Sequence, residues 1–413
     1  MRAGAAAVVA VLVLCWTGAA LAQHPGPDDS YKHPSPAPAP PPPPAETPQP
    51  AEASEEEAEA KPAPQELKLA ILDKDVLPEK PRSGWAALPI AVYAPETKLG
   101  LGAFGSVFFR LGNAGAETRP SSMSLVGLYT LREQLIVEAI PELYWDDEDW
   151  HLWSRFDYRK YPNRTWAVGN KAQDSSEEHY QESRPRWQFR IGSAVTGRLF
   201  VYGHLEAQHM GIENVEPGGL IDSGTLPGSG GGRTIGLGPG IAWDTRDHLL
   251  VPHDGFFHEA VLMTYQPAIG SHHKFNVLRV NLRRYVPITS RHTLVLQYVA
   301  QVQEGNVPFY MLSQLGGQNL LRGYFEGRFR DKSLMAIQAE YRLPLFWRFS
   351  AVGHGALGDV ASRVQGIALD GPVWSLGGGL RVLLNRAEQL NLRADLGVGY
   401  DTFGFYLGVA EAF

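Results

Sequence analysis

The sequence predicts an all-β protein: a sixteen-stranded antiparallel transmembrane β-barrel preceded by a disordered, proline-rich periplasmic segment. Three observations lead to this prediction. The N-terminus has the pattern of an export signal. From Gly84 onward, apolar and polar residues alternate in segments of about ten residues. Outside the N-terminus the chain has no run of about 20 apolar residues, so a membrane-spanning helix is not expected.

Composition narrows the classes of function. The 413 residues are 44% hydrophobic and 20% charged, with a net charge of -7. Because phosphate backbones are bound by an excess of Lys and Arg, this balance argues against a nucleic-acid partner. The single cysteine, Cys15, lies in the N-terminal apolar run, so the exported chain would contain none. We therefore expect no disulfide framework, no cysteine-based site and no cofactor.

Residues 1–22 are predicted to be a signal peptide. Arg2 supplies the positive charge, Ala5 to Trp16 form the apolar core, and Ala20-Leu21-Ala22 provides a cleavage site. A lipoprotein signal at Cys15 is disfavoured because Leu14 is too large for the residue before a lipidated cysteine.

Residues 23–83 are predicted to be a disordered periplasmic linker. Prolines recur through it, including the run Pro40 to Pro44, and such a composition favours extended polyproline geometry over a packed core. Leu67 to Leu72 is its one apolar patch, which could form a short strand or a plug segment.

Residues 84–413 are predicted to form the barrel, because sixteen alternating segments are separated there by Gly, Pro, Asn and Asp turns. The predicted strands are 87–93, 99–111, 121–131, 134–145, 150–160, 184–196, 198–210, 234–244, 256–266, 274–286, 292–303, 333–343, 347–358, 373–384, 389–400 and 403–413. In the segment 389–400, for example, Leu392 and Leu396 lie opposite Asp395 and Gly397.

A soluble β-sandwich would also alternate. The even number of strands, their length and the aromatic residues near strand ends, such as Trp145 and Trp347, favour a transmembrane barrel. If both termini are periplasmic, the longest connections, 161–183, 211–233 and 304–332, all face outward. The final strand ends in Phe413, which resembles the C-terminal targeting signal of bacterial outer-membrane barrels.

The connection 304–332 holds the candidate site, Leu321-Arg322-Gly323-Tyr324. Arg has a planar fork that can hold a carboxylate through two hydrogen bonds, and Gly permits a tight turn. If this loop folds into the lumen, Arg322 would meet inward-facing carboxylates. The alternative is an arginine in a mobile surface loop.

These residues resemble the BamA/TamA superfamily, also called the bacterial surface antigen family. The resemblance rests on the loop motif with Gly316-Gly317 before it, and on Glu340-x-Arg342-x-Pro344 and Asp359 in the next two strands. It also rests on the turn Trp243-Asp244-Thr245-Arg246-Asp247 with Pro252 and Gly255. Tyr93-Ala94-Pro95-Glu96-Thr97 is a weaker match.

In that family the loop arginine packs against acidic residues of the twelfth and thirteenth strands. The resemblance therefore implies that Arg322 contacts Glu340 and Asp359. Around Asp359 this chain has Leu357 and Ala361 where the family usually has Phe and Gly, which makes Asp359 the less secure partner. Relatives that insert or translocate proteins usually carry periplasmic POTRA domains, whereas the linker here is too short and too rich in proline to form them.

The resemblance implies a non-enzymatic role in protein insertion, translocation or assembly at the bacterial outer membrane, with the Arg322 loop bracing the lumen. The seam between strands 87–93 and 403–413 would open laterally, and Pro89 would weaken its pairing. The implied partners are outer-membrane lipid or lipopolysaccharide, client outer-membrane or secreted proteins, and a periplasmic protein in place of POTRA domains.

Two other functions stay open at this point. A passive pore or structural barrel would fit a lumen of this width, and inward-facing arginines would favour anions. They are Arg279, Arg283, Arg381 and Arg393. An outer-membrane enzyme is the third, but no metal-binding or catalytic spacing connects the histidines of 248–273. They are His248, His253, His258, His272 and His273.

Overall fold

The computed structural model describes residues 83–111, 120–145, 149–248, 251–368, 371–385, 390–409 and 411–413. The expected signal peptide and the expected linker up to residue 82 lie outside the described residues. Cys15 and the apolar patch Leu67 to Leu72 lie outside them as well.

Sixteen antiparallel strands form a closed barrel, which confirms the predicted fold class. Two further short strands, β12 and β13, pair with each other inside the connection between β11 and β14. The strands are β1 (Ser83–Ala94), β2 (Lys98–Phe109), β3 (Ser121–Thr130), β4 (Leu135–Trp145), β5 (Trp150–Thr165), β6 (Glu178–Thr196), β7 (Leu199–Glu213), β8 (Gly232–Asp244), β9 (Gly255–Tyr265), β10 (Phe275–Pro287), β11 (Thr293–Gly305), β12 (Ser313–Leu315), β13 (Phe329–Asp331), β14 (Ser333–Pro344), β15 (Phe349–Ala361), β16 (Val373–Asn385), β17 (Leu390–Gly399) and β18 (Thr402–Val409).

Short helical turns occur only in connections among the described residues. They are 3-10 turns at Asp174–Ser176, Pro267–Ile269, Phe309–Met311 and Val364–Gly366. No helix in the described part of the chain is both long and apolar enough to span a membrane.

Alternation along each strand separates a lipid face from a lumen face. On β11, Leu296 is 43% exposed on the outside, whereas Gln297 is 6% exposed on the inside. The inner face of β4 to β7 carries charged side chains in ion pairs, such as Arg155 with Glu138 and Arg186 with Asp157. The barrel therefore has an apolar outer surface and a polar lumen, as a membrane-spanning sheet requires.

Several strand ends differ from the sequence prediction. β5 continues to Thr165 and β6 begins at Glu178, whereas the predicted strands were 150–160 and 184–196. Pro162 lies opposite Gln181 in the β5–β6 ladder. The first strand is also longer than expected, because Ser83–Ala94 pairs with β2 along its whole length.

The end of the chain departs from the predicted last strand. β18 ends at Val409, and residues 411–413 leave the sheet for the lumen. Phe413 packs there with Tyr285 and Val295, and Glu411 pairs with Arg381. Phe413 is thus not on the lipid face of a terminal strand. The ion pair between Glu411 and Arg381 draws the end of the chain into the barrel, where Phe413 is buried.

Two tyrosines cross β8 on the wall opposite the junction of β1 and β18. The Tyr202 hydroxyl donates to Glu259 on β9 at 2.6 Å, and the Tyr265 hydroxyl donates to Glu206 on β7 at 3.4 Å. Glycines of β8 make room for the rings: a Cβ at Gly240 would lie 2.3 Å from the Tyr202 ring. These side chains join three neighbouring strands in addition to their ladders.

Candidate functional site

The connection 306–332, which we call the inserted loop, folds into the barrel. Its neck is the β12–β13 pair, in which Ser313 lies opposite Asp331. Leu315 is fully buried against the inner wall, close to Gly358 of β15. The neck thus anchors the loop by apolar packing on the strand next to β14.

The loop tip adopts a backbone that few residues tolerate. Leu321 has a φ of 62° and Gly323 a φ of 116°, both in the left-handed region. Leu321 holds this conformation because its side chain is fully buried in an apolar cluster with Tyr324 and Phe329. The tip also lies directly on Gly397 of β17, where an added Cβ would come within 2.4 Å of the Arg322 carbonyl oxygen.

Arg322 joins two strands from inside the lumen. Its Nη2 donates to Glu340 Oε2 of β14 at 2.8 Å, and its Nη1 donates to Asp395 Oδ2 of β17 at 3.0 Å. All three side chains are at most 1% exposed. The guanidinium fork is therefore divided between two carboxylates, each from a different strand.

Other arginines share the same carboxylates. Arg342 contacts Glu340 at 3.0 Å, and Arg381 contacts Asp395 at 2.6 Å. Arg393 lies 3.7 Å from Asp395 and donates to Gln318 of the inserted loop at 2.9 Å. With Glu411, this cluster contains four arginines and three carboxylates, so its charges are largely compensated within the protein.

Asp359, the second partner implied by the family resemblance, does not contact Arg322. It lies on β15 and accepts hydrogen bonds from Asn170, from its neighbour Val360 and from Ala368. It thereby ties the connection between β5 and β6 to β15. The loop tip turns toward β17 instead, because Gly397 lets the backbone approach that strand closely.

The tip is further fixed to the last strand and the turn before it. The Tyr406 hydroxyl of β18 accepts from Gly323 N at 3.0 Å, and Thr402 Oγ1 donates to Gly323 O at 2.8 Å. The Tyr324 hydroxyl accepts from Tyr400 N at 2.8 Å. All four residues of the predicted loop motif thus lie against the barrel wall.

The barrel is weakly joined between β1 and β18, an edge that we call the seam. Among the described residues, Tyr93 and Leu407 are the one ladder pair across it. Tyr93 and Phe405 add a tilted ring contact with centroids 5.7 Å apart. By contrast, β1 pairs with β2 from Ser83 to Ala94, so the seam is held by far fewer backbone hydrogen bonds.

The comparison with protein families decides where this barrel belongs. The model of the Omp85 superfamily domain matches residues 136–413. The chain belongs to the Omp85 superfamily. The resemblance to BamA/TamA barrels is thereby confirmed, and membership in this family implies the bacterial outer membrane.

Solved structures of Omp85 barrels have a similar fold. BamA from Haemophilus ducreyi lacking POTRA domains 1–3 aligns with a TM-score of 0.57 at 14% identity, covering 80% of this chain and 70% of that chain. CdiB from Acinetobacter baumannii gives a TM-score of 0.54 at 12% identity, over 80% and 60%. CdiB from Escherichia coli gives 0.54 at 11%, over 81% and 64%. The chain thus spans less than two thirds of both CdiB chains. The search of curated proteins finds no match.

Three residues of this Omp85 site could not be predicted from the sequence. Asp395 and Gly397 were placed on the inward face of their strand, but periodicity does not tell which inward carboxylate meets the loop. Tyr406 gave no signal beyond its place in an alternating strand. Within the turn motif that the sequence analysis quoted, Arg246 pairs with Asp244 at 2.6 Å.

The Omp85 barrel shows no metal centre in the part of the chain that is described, since no group of three or more metal-ligating side chains occurs there. Among the histidines of 248–273, His253 contacts the Thr293 hydroxyl at 2.6 Å. His248 Nδ1 accepts from Val251 N. These contacts hold connections in place.

Proposed function

We propose that this Omp85 barrel takes part in inserting, translocating or assembling proteins at the outer membrane, without an enzymatic step. The seam opens sideways for a client chain, and the inserted loop braces the lumen through Arg322. The clients are outer-membrane or secreted proteins. A periplasmic protein presents them in place of POTRA domains, and lipid or lipopolysaccharide surrounds the apolar outer face.

The observation that carries this proposal is the unequal pairing around the ring. Among the described residues, every other neighbouring pair of barrel strands is joined by a longer ladder than β1 and β18, which meet at Tyr93 and Leu407. Backbone groups in lipid must be paired, so an underpaired edge is costly unless another strand can occupy it. A client strand could add to this edge by main-chain hydrogen bonds.

The charge cluster around Arg322 supports the bracing role. Buried ion pairs give little net stability because desolvation offsets their attraction, but they specify one geometry. Here they fix the loop tip between β14 and β17, three strands apart in the ring. The loop therefore holds the wall beside the seam in a defined position.

An anion-favouring pore is the alternative function. The contacts of the inward-facing arginines argue against it. Of the four arginines that suggested it, Arg381 and Arg393 contact Asp395, and Arg279 lies 3.5 Å from Glu206. Arg283 stacks on the Phe257 ring. Three of the four charges are thus compensated by carboxylates, and the fourth belongs to a side chain that is only 9% exposed.

The deciding experiment is depletion of the protein followed by quantification of every other outer-membrane protein. Wild type should restore the affected proteins, whereas Arg322→Ala should not, despite normal amounts of folded barrel. Arg284→Ala is the matched control, because that side chain is 51% exposed and lies outside the cluster. An unchanged outer-membrane proteome would reject the proposal, and conductance measurements on the purified barrel would then test the pore.

A further inference from the structure

The inserted loop contacts both sides of the seam. On the β18 side, Gly323 is held by Tyr406 and Thr402. On the β1 side, the loop reaches the turn between β1 and β2, where Glu96 Oε1 accepts from Glu326 N at 2.9 Å. Between these two anchors, the described residues of β1 and β18 form a single ladder pair.

Glu96 is buried, and hydrogen bonds hold its backbone in place. The residue is only 3% exposed, although it is an acidic residue in a turn. Its main-chain oxygen accepts from Gln134 Nε2 of the next turn at 3.0 Å, and the Gln134 side chain is also bonded to the Thr130 hydroxyl. The first two hairpins therefore hold the Glu96 backbone while its side chain points to the loop.

We propose that Glu96 is a positioning residue that fastens the inserted loop to the first hairpin, so that the loop bridges the seam from inside and keeps it closed. The inference rests on the seam opening proposed above and names the contact that controls it. Arg322 fixes the loop to the wall on one side of the seam, and Glu96 fixes it on the other. Release of Glu96 frees β1 and its hairpin from the loop while the Arg322 cluster stays intact.

The protonation state of Glu96 makes this contact depend on pH. Burial raises the pKa of Glu96 to about 7 from its ordinary value of 4.5. The charged and titratable groups facing it are Lys98 of β2, Arg132 of the β3–β4 turn, Tyr161 of β5 and Tyr406 of β18. The main-chain N–H of Glu326 donates to it. The two cations offset only part of the desolvation, so the buried carboxyl binds its proton more tightly than a released one would.

The sign of the pH effect follows from linkage. A buried acid with a raised pKa favours the fastened state below its ordinary pKa, and this preference is lost as the pH rises through about 7. If Glu96 alone titrates, the ratio of open to closed seam rises by about 30-fold between about pH 5.5 and pH 8.5.

The test uses the full-length protein in lipid nanodiscs, without a client. Spin labels are attached in a Cys15→Ser background at Leu131→Cys and Phe403→Cys, whose native side chains are 74% and 75% exposed on the two sides of the seam. Double electron–electron resonance then reports the distance across the seam at each pH. A heat-modifiability gel confirms that each variant is folded.

We expect the wild type to show more of the long distance at high pH. Glu96→Gln keeps an acceptor without a titrating group, so it should stay closed at both pH values. Glu96→Ala should be open at both. Glu304→Ala, an exposed glutamate at the end of β11, should behave as wild type.

Two results would overturn the inference: closed distances in Glu96→Ala at pH 5.5, or a full pH response in Glu96→Gln. Neither would touch the proposed assembly function, which is judged by the outer-membrane proteome and by Arg322. Conversely, an unchanged outer-membrane proteome would reject the assembly function. It would not contradict the inference that Glu96 controls the opening of the seam.

Discussion

At the scale of single residues, Arg322 is a permanently charged side chain that is 1% exposed. Its charge is compensated by two carboxylates, those of Glu340 and Asp395. Glu340 also contacts Arg342, and Asp395 also contacts Arg381. Removing Arg322 therefore leaves both acids with another cation. Its main contribution is to the position of the loop and less to the stability of the barrel.

We predict that Arg322→Ala releases the inserted loop while lowering the free energy of unfolding of the barrel by only about 1–3 kcal/mol. Arg322→Lys should retain part of the loop order, because one ammonium group cannot reach both carboxylates as the fork does. Hydrogen exchange of peptides from 316–329 measures loop order, and urea unfolding in detergent measures barrel stability. Equal protection of the loop in wild type and Arg322→Ala would contradict this account, and Arg284→Ala serves as the control.

At the scale of elements, the loop depends on a gap in the inner face of β17. An added Cβ at Gly397 would lie 2.4 Å from Arg322 O and 2.8 Å from Arg322 Cβ. The carbonyl oxygen and the carbonyl carbon of Arg322, at 2.4 and 2.5 Å from the added Cβ, are backbone atoms, so they cannot rotate away. The glycine thus allows the close backbone contact that brings Arg322 to Asp395.

We therefore expect Gly397→Ala to displace the loop tip without disrupting the β17 ladder. Gly353→Ala on β15 is the matched control, because a Cβ there meets no atom within 4 Å. The clash should cost about 1–3 kcal/mol and increase hydrogen exchange of the loop. If both alanine variants have the same exchange pattern, the close contact is not what positions the loop.

The sequence could predict the sixteen barrel strands because each has a ten-residue alternation and a turn signal. It could not predict β12 and β13, since three-residue strands such as Ser313–Leu315 show no periodicity. The predicted strand 150–160 is shorter than β5, which continues past Pro162 because proline can occupy a ladder position that needs no donor. The choice of Asp395 over Asp359 depends on which strands the loop approaches, and that is a property of the closed barrel.

At the scale of the whole molecule, the ring combines one weak joint with a reinforced wall on the opposite side. The seam is paired at Tyr93 and Leu407, whereas Tyr202 and Tyr265 tie β7, β8 and β9 together across the lumen face. In such a barrel, β1 and β18 should separate before the strands of the opposite wall do.

We predict that a disulfide between Tyr93→Cys and Leu407→Cys abolishes protein assembly in cells and that a reductant restores it. Directly opposed residues of an antiparallel ladder have Cα atoms about 4.5–5.5 Å apart, which suits a disulfide. The readout is the amount of client proteins in the outer membrane after depletion of wild type. Cells carrying either single cysteine are the control, and normal assembly by the oxidised double variant would exclude lateral opening.

The shortness of β18 also bears on the surrounding bilayer. Its eight residues rise only about 21 Å along the membrane normal, taking about 3.4 Å per residue and a tilt of about 40°. The hydrocarbon layer of a bilayer is about 30 Å thick, and lipids beside a shorter apolar surface compress to match it. The membrane next to this strand would therefore be thinner than elsewhere around the protein, which lowers the barrier for polar groups to cross at that place.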